Sequence, residues 1–313
     1  MMLDTPFDLR VVEQAVIGTQ FAGHLTYLDS VTSTNDLALL AAQSGARSGV
    51  WIAGEQTAGR GRGNHTWHSP AGAPQEPAGL YMTALVASSI PMQRAPSLSF
   101  TTAIAVQSAI CSVFGFTRPA QLDIRWPNDL ILNGRKCGGI LIETASSSAT
   151  PTQHAILRYA AIGIGINVNH TSFPPELDPI ATSLRREMPN PGAPAGVPGE
   201  WSLLAGVTRL ASETWVHAPI RREPLAAAML LALDAELRAL TSNLEPRTSN
   251  LAQFSSWISG KRVRVEPSDP NPDDPASASY TGVTEGLDPL GFLRVKGDDG
   301  QLHTVLSGGL REP

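Results

Sequence analysis

One stretch limits the possible folds more than any other: residues 122–146, LDIRWPNDLILNGRKCGGILIETAS. Asn133-Gly134 stands between two runs of β-branched and aliphatic residues. Asn-Gly there selects a type I′ turn, because both central residues must take positive φ. The chain is therefore committed to an antiparallel hairpin at its centre. Pro127 cannot donate to a ladder, so it breaks the incoming strand and puts Asn128 and Asp129 at a kink outside the pairing. Lys136 falls just past the turn. Gly138-Gly139 removes side chains where the returning strand begins. An ordinary hairpin would give Lys136 to solvent and the two glycines to a bulge; Trp, Asn, Asp, Lys and two glycines in so short a span point instead to a site.

A second stretch carries charge of the opposite sign to the rest. GEQTAGRGRGNHTWHSP, Gly54 to Pro70, is glycine-dense and basic in a chain whose formal net charge is −5. Glycines let a backbone approach a ligand closely. Arginines present planar forks of donors to carboxylate or phosphate oxygens, and an indole can stack on a base. The reading is a flexible anion clamp over a nucleotide; a polar surface loop is the plainer alternative. The acidic balance argues against broad nucleic-acid binding, which relies on basic surface.

Around these, VWIAGEQ (50–56) and LYMTALVAS (80–88) read as strands, the second buried, with a turn-rich AGAPQEPAG (71–79) between. SLSFTTAIAVQSAICSVFG reads as a helix with Leu98, Ala105 and Ile110 inward. A shorter helix follows Ser33, whose S-x-x-D pattern with Asp36 is a capping signature; Leu37, Leu40 and Ala41 would form its apolar stripe and Gly45 its C-cap. ILRYAAIGIGINVNH (156–170) is a third strand. It is not a dinucleotide fingerprint, since Val168 replaces the third glycine, and Gly260-Lys261-Arg262 is no Walker A. Residues 189–199, PNPGAPAGVPG, read as a linker. WSLLAGVTRLASETWVH (201–217) and EPLAAAMLLALDAELRAL (223–240) read as packing helices. From Gly260 the texture becomes short β-like pieces, KRVRVE, SYTGVTEGLD and GFLRVKGDDGQLHTVL. These suggest a small barrel of about fifty residues, with DPNPDDPAS as an acidic hairpin tip.

The two cysteines, Cys111 and Cys137, make neither a disulfide framework nor a metal spacing. MMLDTPFDLR has no basic-then-apolar pattern, and no apolar run reaches the ~20 residues of a membrane helix. The expectation is a cytoplasmic protein without membrane attachment. Residues 1–24 are too short for the helix-turn-helix domain that would bind an operator.

Three segments in order, GEQTAGRGRGNHTWHSP, RWPNDLILNGRKCGGILIE and AAIGIGINVNHTSFPPELDPIATSL, resemble the biotin protein ligase (biotin–[acetyl-CoA carboxylase] ligase) family, of the monofunctional type. The resemblance runs from about Leu25 to the C-terminus. It implies an α+β fold: a mixed β-sheet flanked by helices, like class II aminoacyl-tRNA synthetases, over residues 1–258, and a small SH3-like β-barrel over 259–313. It implies ATP-dependent activation of biotin to biotinyl-5′-adenylate, with Mg²⁺. The biotin then passes to a lysine of a biotin carboxyl carrier protein domain. It assigns Ser33, Thr34, Asn35 and Gln56 to the biotin head group, and Gly59, Arg60, Gly61 and Arg62 to a closing loop on the carboxylate and phosphate side. Lys136 becomes the catalytic electrophile, touching both biotin and phosphate, with Arg60 and Arg62 beside it. Gly138, Gly139, Gly163 and Gly165 become slot walls. Trp67 would cover adenine, with Asn128 and Asn167 near the nucleotide, and Asp129 would hold Mg²⁺ or orient Lys136. Monomer and homodimer both fit the family. Many bacterial members carry more basic residues after the second loop arginine, where Gly63, Asn64, His65 and Thr66 stand here, which implies a looser hold on the adenylate. A lipoate–protein ligase of the same fold, or a non-catalytic biotin-binding module, are the alternatives.

Overall fold

The computed structural model describes residues 7–63, 65–73, 76–87, 90–146, 156–188, 207–209, 215–217, 219–241, 248–267 and 278–313. Strands β1 (Leu25–Val31), β2 (Ser48–Gln56), β5 (Gly79–Val86), β6 (Leu122–Arg125), β7 (Asp129–Leu132), β8 (Arg135–Ser146) and β9 (Leu157–Asn167) form one sheet. Its order is β1-β2-β5-β9-β8-β7-β6. Only β1 and β2 run parallel; every other neighbour pair is antiparallel, so the sheet is mixed. Two residue pairs, β3 (Gly72–Ala73) and β4 (Glu76–Pro77), make a small hairpin out of the turn-rich 71–79 segment.

Period-two alternation decides which face of the sheet is which. In β9 the isoleucines 162, 164 and 166 are buried in the main core, while Gly163, Gly165 and Asn167 face the other way. Onto the isoleucine face pack helix α3 (Ala95–Phe114) and the C-terminal helix of the sheet layer, Arg222–Thr241, against which the short α1 (Leu9–Ala15) rests. α3 is long and apolar enough to span a membrane, with a mean hydropathy of 1.5, contrary to the sequence expectation that no run reaches that length. It lies in the core against the sheet and the Arg222–Thr241 helix. Its buried Gln107 donates from Nε2 to the carbonyls of Leu122 (2.7 Å) and Phe254 (2.8 Å), tying β6 to the segment that leaves the sheet.

On the opposite face sits α2 (Thr34–Gln43). Ser33 caps it as expected, its Oγ accepting from the Asp36 amide at 3.4 Å, and Gly45 has a positive φ just past its end. The stripe is rotated from the expectation. Ala38 and Ala42 pack on Leu85, Tyr159 and Ala161, whereas Leu40 is 61% exposed. Small residues let the helix axis lie close to the sheet.

The central hairpin forms as the Asn-Gly signal requires, with φ of 47° at Asn133 and 82° at Gly134. The kink at Pro127 is in fact a second tight hairpin. β6 turns through Trp126-Pro127-Asn128 into β7, and Asp129 enters the ladder, opposite Arg125 on one side and Gly139 on the other. Within 201–217, read as a helix, the described residues pair instead as antiparallel strands β10 (Val207–Arg209) and β11 (Trp215–His217). Thr, Val and Trp there favour extended backbone. The 189–199 linker and the 269–277 hairpin tip lie outside the described residues.

The C-terminal segment forms a five-stranded antiparallel sheet from β12 (Ser259–Glu266), β13 (Tyr280–Leu287), β14 (Leu293–Gly297), β15 (Leu302–Val305) and β16 (Gly309–Arg311), in the order β15-β14-β13-β12-β16. Its Val263, Val265, Leu293, Val295, Val305 and Leu310 join the main core through Phe254, Trp257 and Ile258.

Candidate active site

The glycine face of the sheet floors a cleft of about 720 Å³ between α2, the 57–69 loop and the C-terminal sheet. At one end α2 presents its first turn. The Thr34 amide and hydroxyl donate to Gln56 Oε1 at 2.9 and 3.1 Å, and Gln56 Nε2 donates to Ser69 Oγ at 3.1 Å. Thr83, fully buried in β5, donates to Asn35 Oδ1 at 2.6 Å and lies 2.8 Å from Thr34 Oγ1. Asn35 Nδ2 donates to Glu143 Oε2 at 2.8 Å. Ser33, Thr34, Asn35 and Gln56 thus line one polar pocket, and Thr83 links Thr34, Gln56 and Asn35 into one hydrogen-bonded network. Gly163 lies directly beneath Asn35, where a Cβ would collide with its carboxamide oxygen.

At the other end the charges are cationic in excess. Lys136 Nζ is 2.5 Å from Asp129 Oδ1, while Arg125 takes Asp129 Oδ2 at 2.7 Å. Burial alone would raise the Asp129 carboxyl, but Lys136 and Arg125 beside it outweigh that and hold it below the usual carboxylate range. Arg62 reaches over and donates to the Gly308 carbonyl at 3.0 Å. Burial lowers the Arg62 pKa, opposed by Asp129; guanidinium stays protonated regardless. Both Asp129 oxygens are engaged by cations, and among the described residues no three His, Cys, Asp or Glu converge on a metal position. Asp129 therefore fits the orientation of Lys136 and does not fit the Mg²⁺ ligand expected of it.

Trp67 lies between the two ends. Its indole packs on Gly165, whose added Cβ would be 2.6 Å from Nε1, and on Gly139, at 3.2 Å from Cζ3. Lys136 Nζ sits 5.3 Å from the ring centre, and the buried Nε1–H has no hydrogen-bond partner among the described residues. The two glycines are paired across β8 and β9, and together they make a flat bed that only residues without side chains can offer.

Several expected residues are placed differently. Gly138 faces the core, its absent Cβ directed at Ile166 (2.7 Å) and Leu130 (3.0 Å), because β8 alternates and Gly139 takes the cleft side. Gly59 does not line the cleft; its carbonyl accepts from the Trp67 amide at 2.8 Å and a Cβ would strike Ser69 Oγ and the Trp67 carbonyl. It closes the loop on itself. Asn128 and Asn167 do line the cleft, but their Nδ2 groups donate to the backbone carbonyls of Ile140 (2.7 Å) and Thr182 (3.0 Å). The loop is tied to itself: Arg60 bridges Thr66 in antiparallel fashion, and Gly61 N donates to the His65 carbonyl at 2.7 Å. Asn64 is outside the described residues.

Thr83, Glu143, Arg125 and Ser69 escaped the sequence reading. Two left a signal. Thr83 is the one threonine in a buried strand that is otherwise apolar apart from Tyr81, and Glu143 shares the two-residue period of Gly139 and Leu141. Arg125 and Ser69 had none: the β6–β7 hairpin sets Arg125 opposite Asp129, and the return of the 57–69 loop brings Ser69 back to Gln56.

The fold and the cleft define a class first. The structure superposes on "Biotin protein ligase from Aquifex aeolicus in complex with biotin and ATP" with a TM-score of 0.63 at 20% identity, covering 93% of this chain and 100% of that one. That likeness establishes the architecture, a mixed sheet with flanking helices and a small C-terminal antiparallel sheet. Residues 26–167 are similar to the biotin/lipoate A/B protein ligase family. Over 164 residues the chain is 42% identical to the "Bifunctional ligase/repressor BirA" of Bacillus spizizenii, which covers 51% of this chain and 46% of the relative. It spans about half the length of that relative. Along 98% of its length it is 28% identical to the "Biotin--[acetyl-CoA-carboxylase] ligase" of Mycobacterium tuberculosis, covering 96% of that protein.

Proposed function

We propose that the protein activates biotin with ATP, forming biotinyl-5′-adenylate and pyrophosphate, and transfers the biotin to a lysine of a biotin carboxyl carrier protein. One observation carries the reading: a single cleft joins a pocket of neutral hydrogen-bonding groups to a cluster with three cations, Arg62, Arg125 and Lys136, around one carboxylate, Asp129. A ureido ring needs donors and acceptors, and two anions brought together need fixed positive charge.

In this reading the biotin ring lies against Ser33, Thr34, Asn35 and Gln56. Its carboxylate reaches Lys136, which Asp129 holds by one oxygen while Arg125 holds the other. The carboxylate oxygen attacks the α-phosphorus, the bond to the pyrophosphate oxygen breaks, and Lys136 and Arg62 meet the charge that builds on phosphorus. Trp67, resting on Gly139 and Gly165, covers the mixed anhydride and keeps water out. Asn128 and Asn167 shape the nucleotide end. Mg²⁺ would arrive on the phosphates of ATP, since Asp129 is not free to bind it. Residues 1–258 form the catalytic part, and 259–313 the cap that contributes Glu266 and Gly308–Arg311 to the cleft rim. The carrier lysine amine then attacks the acyl carbon and AMP leaves.

The polar pocket also favours biotin over lipoate, whose dithiolane would leave Asn35 and Gln56 facing sulfur. The test is pyrophosphate release from ATP with biotin or lipoate, followed by labelling of a purified carrier domain. Release with biotin and a biotinylated carrier lysine are expected. Release with lipoate alone would sink the reading, and so would tight biotin binding without pyrophosphate.

A further inference from the structure

Arg60 stands in the middle of the basic loop, yet its charge is already taken. Its Nη1 donates to Glu143 Oε1 at 3.0 Å and its Nη2 to Glu143 Oε2 at 2.6 Å. The same Nη2 lies 2.8 Å from Asp36 Oδ1. Two carboxylates thus hold one guanidinium, so this corner is anionic in sum. A biotin carboxylate or a phosphate arriving here would meet net repulsion and would have to displace a bidentate partner. The far end of the cleft is the reverse. Arg125 and Lys136 pair with the carboxylate of Asp129, Arg62 lies within its electrostatic reach, and among the described residues Arg62 hydrogen-bonds the neutral carbonyl of Gly308.

Glu143 does more than neutralise. Its Oε2 also accepts from Asn35 Nδ2 at 2.8 Å, and Asp36 follows Asn35 in the first turn of α2. One carboxylate on β8 therefore ties the base of the 57–69 loop to the helix turn that lines the polar pocket. The loop is also held at its two ends, where the Thr57 and Ala58 amides donate to the carbonyls of Val31 and Thr32 (2.8 and 2.9 Å) and Ser69 Oγ accepts from Gln56, and along its length by the Trp67 indole on its glycine bed and the Arg62 contact with Gly308.

We propose that Arg60 is a strut of the loop and not a cation for the substrate, and that Glu143, with Asp36, is the positioning residue that fixes it. The inference rests on the ligase reading only where it concerns what the loop covers: the anchored loop retains the acyl-adenylate, while Lys136 and Arg62 supply the charge. Glu143→Gln keeps an acceptor for Asn35 but turns an N–H₂ group toward the guanidinium. Arg60→Gln removes the strut from the other side.

The experiment has two readouts. Trypsin cleavage at the Arg62–Gly63 bond reports loop opening in the ligand-free protein, and this site survives in Arg60→Gln. Both single variants are expected to speed cleavage roughly three- to tenfold. The double variant is expected to be no faster than either single, because both remove the same contact. Release of preformed biotinyl-adenylate is expected to rise in step, with the rate of adenylate formation changed less than about threefold. Unchanged cleavage in either variant, or additive effects in the double, overturns the strut. Faster cleavage with unchanged release overturns its link to retention. Loss of adenylate formation on the scale of a Lys136 variant would return Arg60 to the substrate. If the unaltered protein makes no adenylate, the ligase reading falls while the cleavage result still judges the strut. Should Glu143→Gln fail to fold, Arg60→Gln and Asp36→Asn carry the same comparison.

Discussion

At Lys136 a neighbour holds in place a side chain that is usually mobile. Alone, an ammonium on a flexible stem would wander. Here Asp129 fixes its Nζ at 2.5 Å, and Arg125 stops Asp129 from neutralising it completely. Lys136→Ala is expected to slow adenylate formation about a hundredfold or more while changing biotin affinity less than about tenfold. Isothermal titration with biotin and single-turnover pyrophosphate release separate the two; equal losses would reduce Lys136 to a binding residue. His170 gives a prediction of another kind. Its ring stacks on Phe173 at 5.0 Å and faces His68. Burial, then the nearby His68, pushes its pKa down to about 4. The unfolded imidazole titrates near 6.5, so as pH falls the unfolded chain takes up the proton first. Stability from this residue is intact above about pH 6.5 and is lost progressively towards pH 4, by up to about 3 kcal/mol. His170→Phe keeps a ring against Phe173, and its urea midpoint is expected to fall less between pH 7 and 4.5 than that of the unaltered protein. Parallel midpoint curves would remove His170 from the account.

At the level of elements, the alternation of β9 does most to shape the cleft. IGIGIN places isoleucines against α3 and leaves Gly163 and Gly165 on the other face. The glycines of this protein consequently fail for different reasons. At Gly163 or Gly165 a Cβ meets Asn35 or Trp67, so substitution reaches the site. At Gly134, φ is +82° and nothing lies within 4 Å of an added Cβ, so only backbone strain is at stake. Gly134→Ala is expected to cost about 1 kcal/mol with unchanged biotin affinity. Thermal unfolding combined with a binding titration checks it; lost affinity would show that the turn transmits strain along β8 to Lys136. Hairpins of this sort were legible because Asn-Gly acts within two residues. The orientation of α2 was not, because Leu37, Leu40 and Ala41 form as good a local stripe as Ala38 and Ala42. What settles it is how closely a helix can approach the glycine-rich face, a matter of packing between elements far apart in sequence.

For the molecule as a whole, the C-terminal sheet is joined to the large sheet through one core and at one close contact. Gly291 lies so near α3 that a Cβ would be 2.9 Å from Ser97 Cα, and Trp126 Nε1 donates to the Gly291 carbonyl at 3.4 Å. Trp257 stacks under both Lys261 and Arg125, 4.6 and 5.8 Å from its ring centre. The residue that braces Asp129 thus also touches the joint between the sheets. The strand texture of residues 260–311 was readable from its short alternating pieces; its place against the cleft was not.

By itself the sequence determined the central hairpin, the succession of strands, the Ser33 cap and the set of side chains capable of handling a carboxylate and a phosphate. These rest on local backbone preference and on the chemistry each residue carries wherever it goes. The tertiary structure decided how that chemistry is divided. Strand alternation sent Gly138 to the core and Gly139 to the cleft. Two hairpins brought Arg125 and Lys136 to opposite oxygens of Asp129, and pairing β8 beside β9 set Glu143 under Arg60. Whether an arginine is free to meet a substrate depends on the carboxylates around it, and those come from residues as many as 83 positions away.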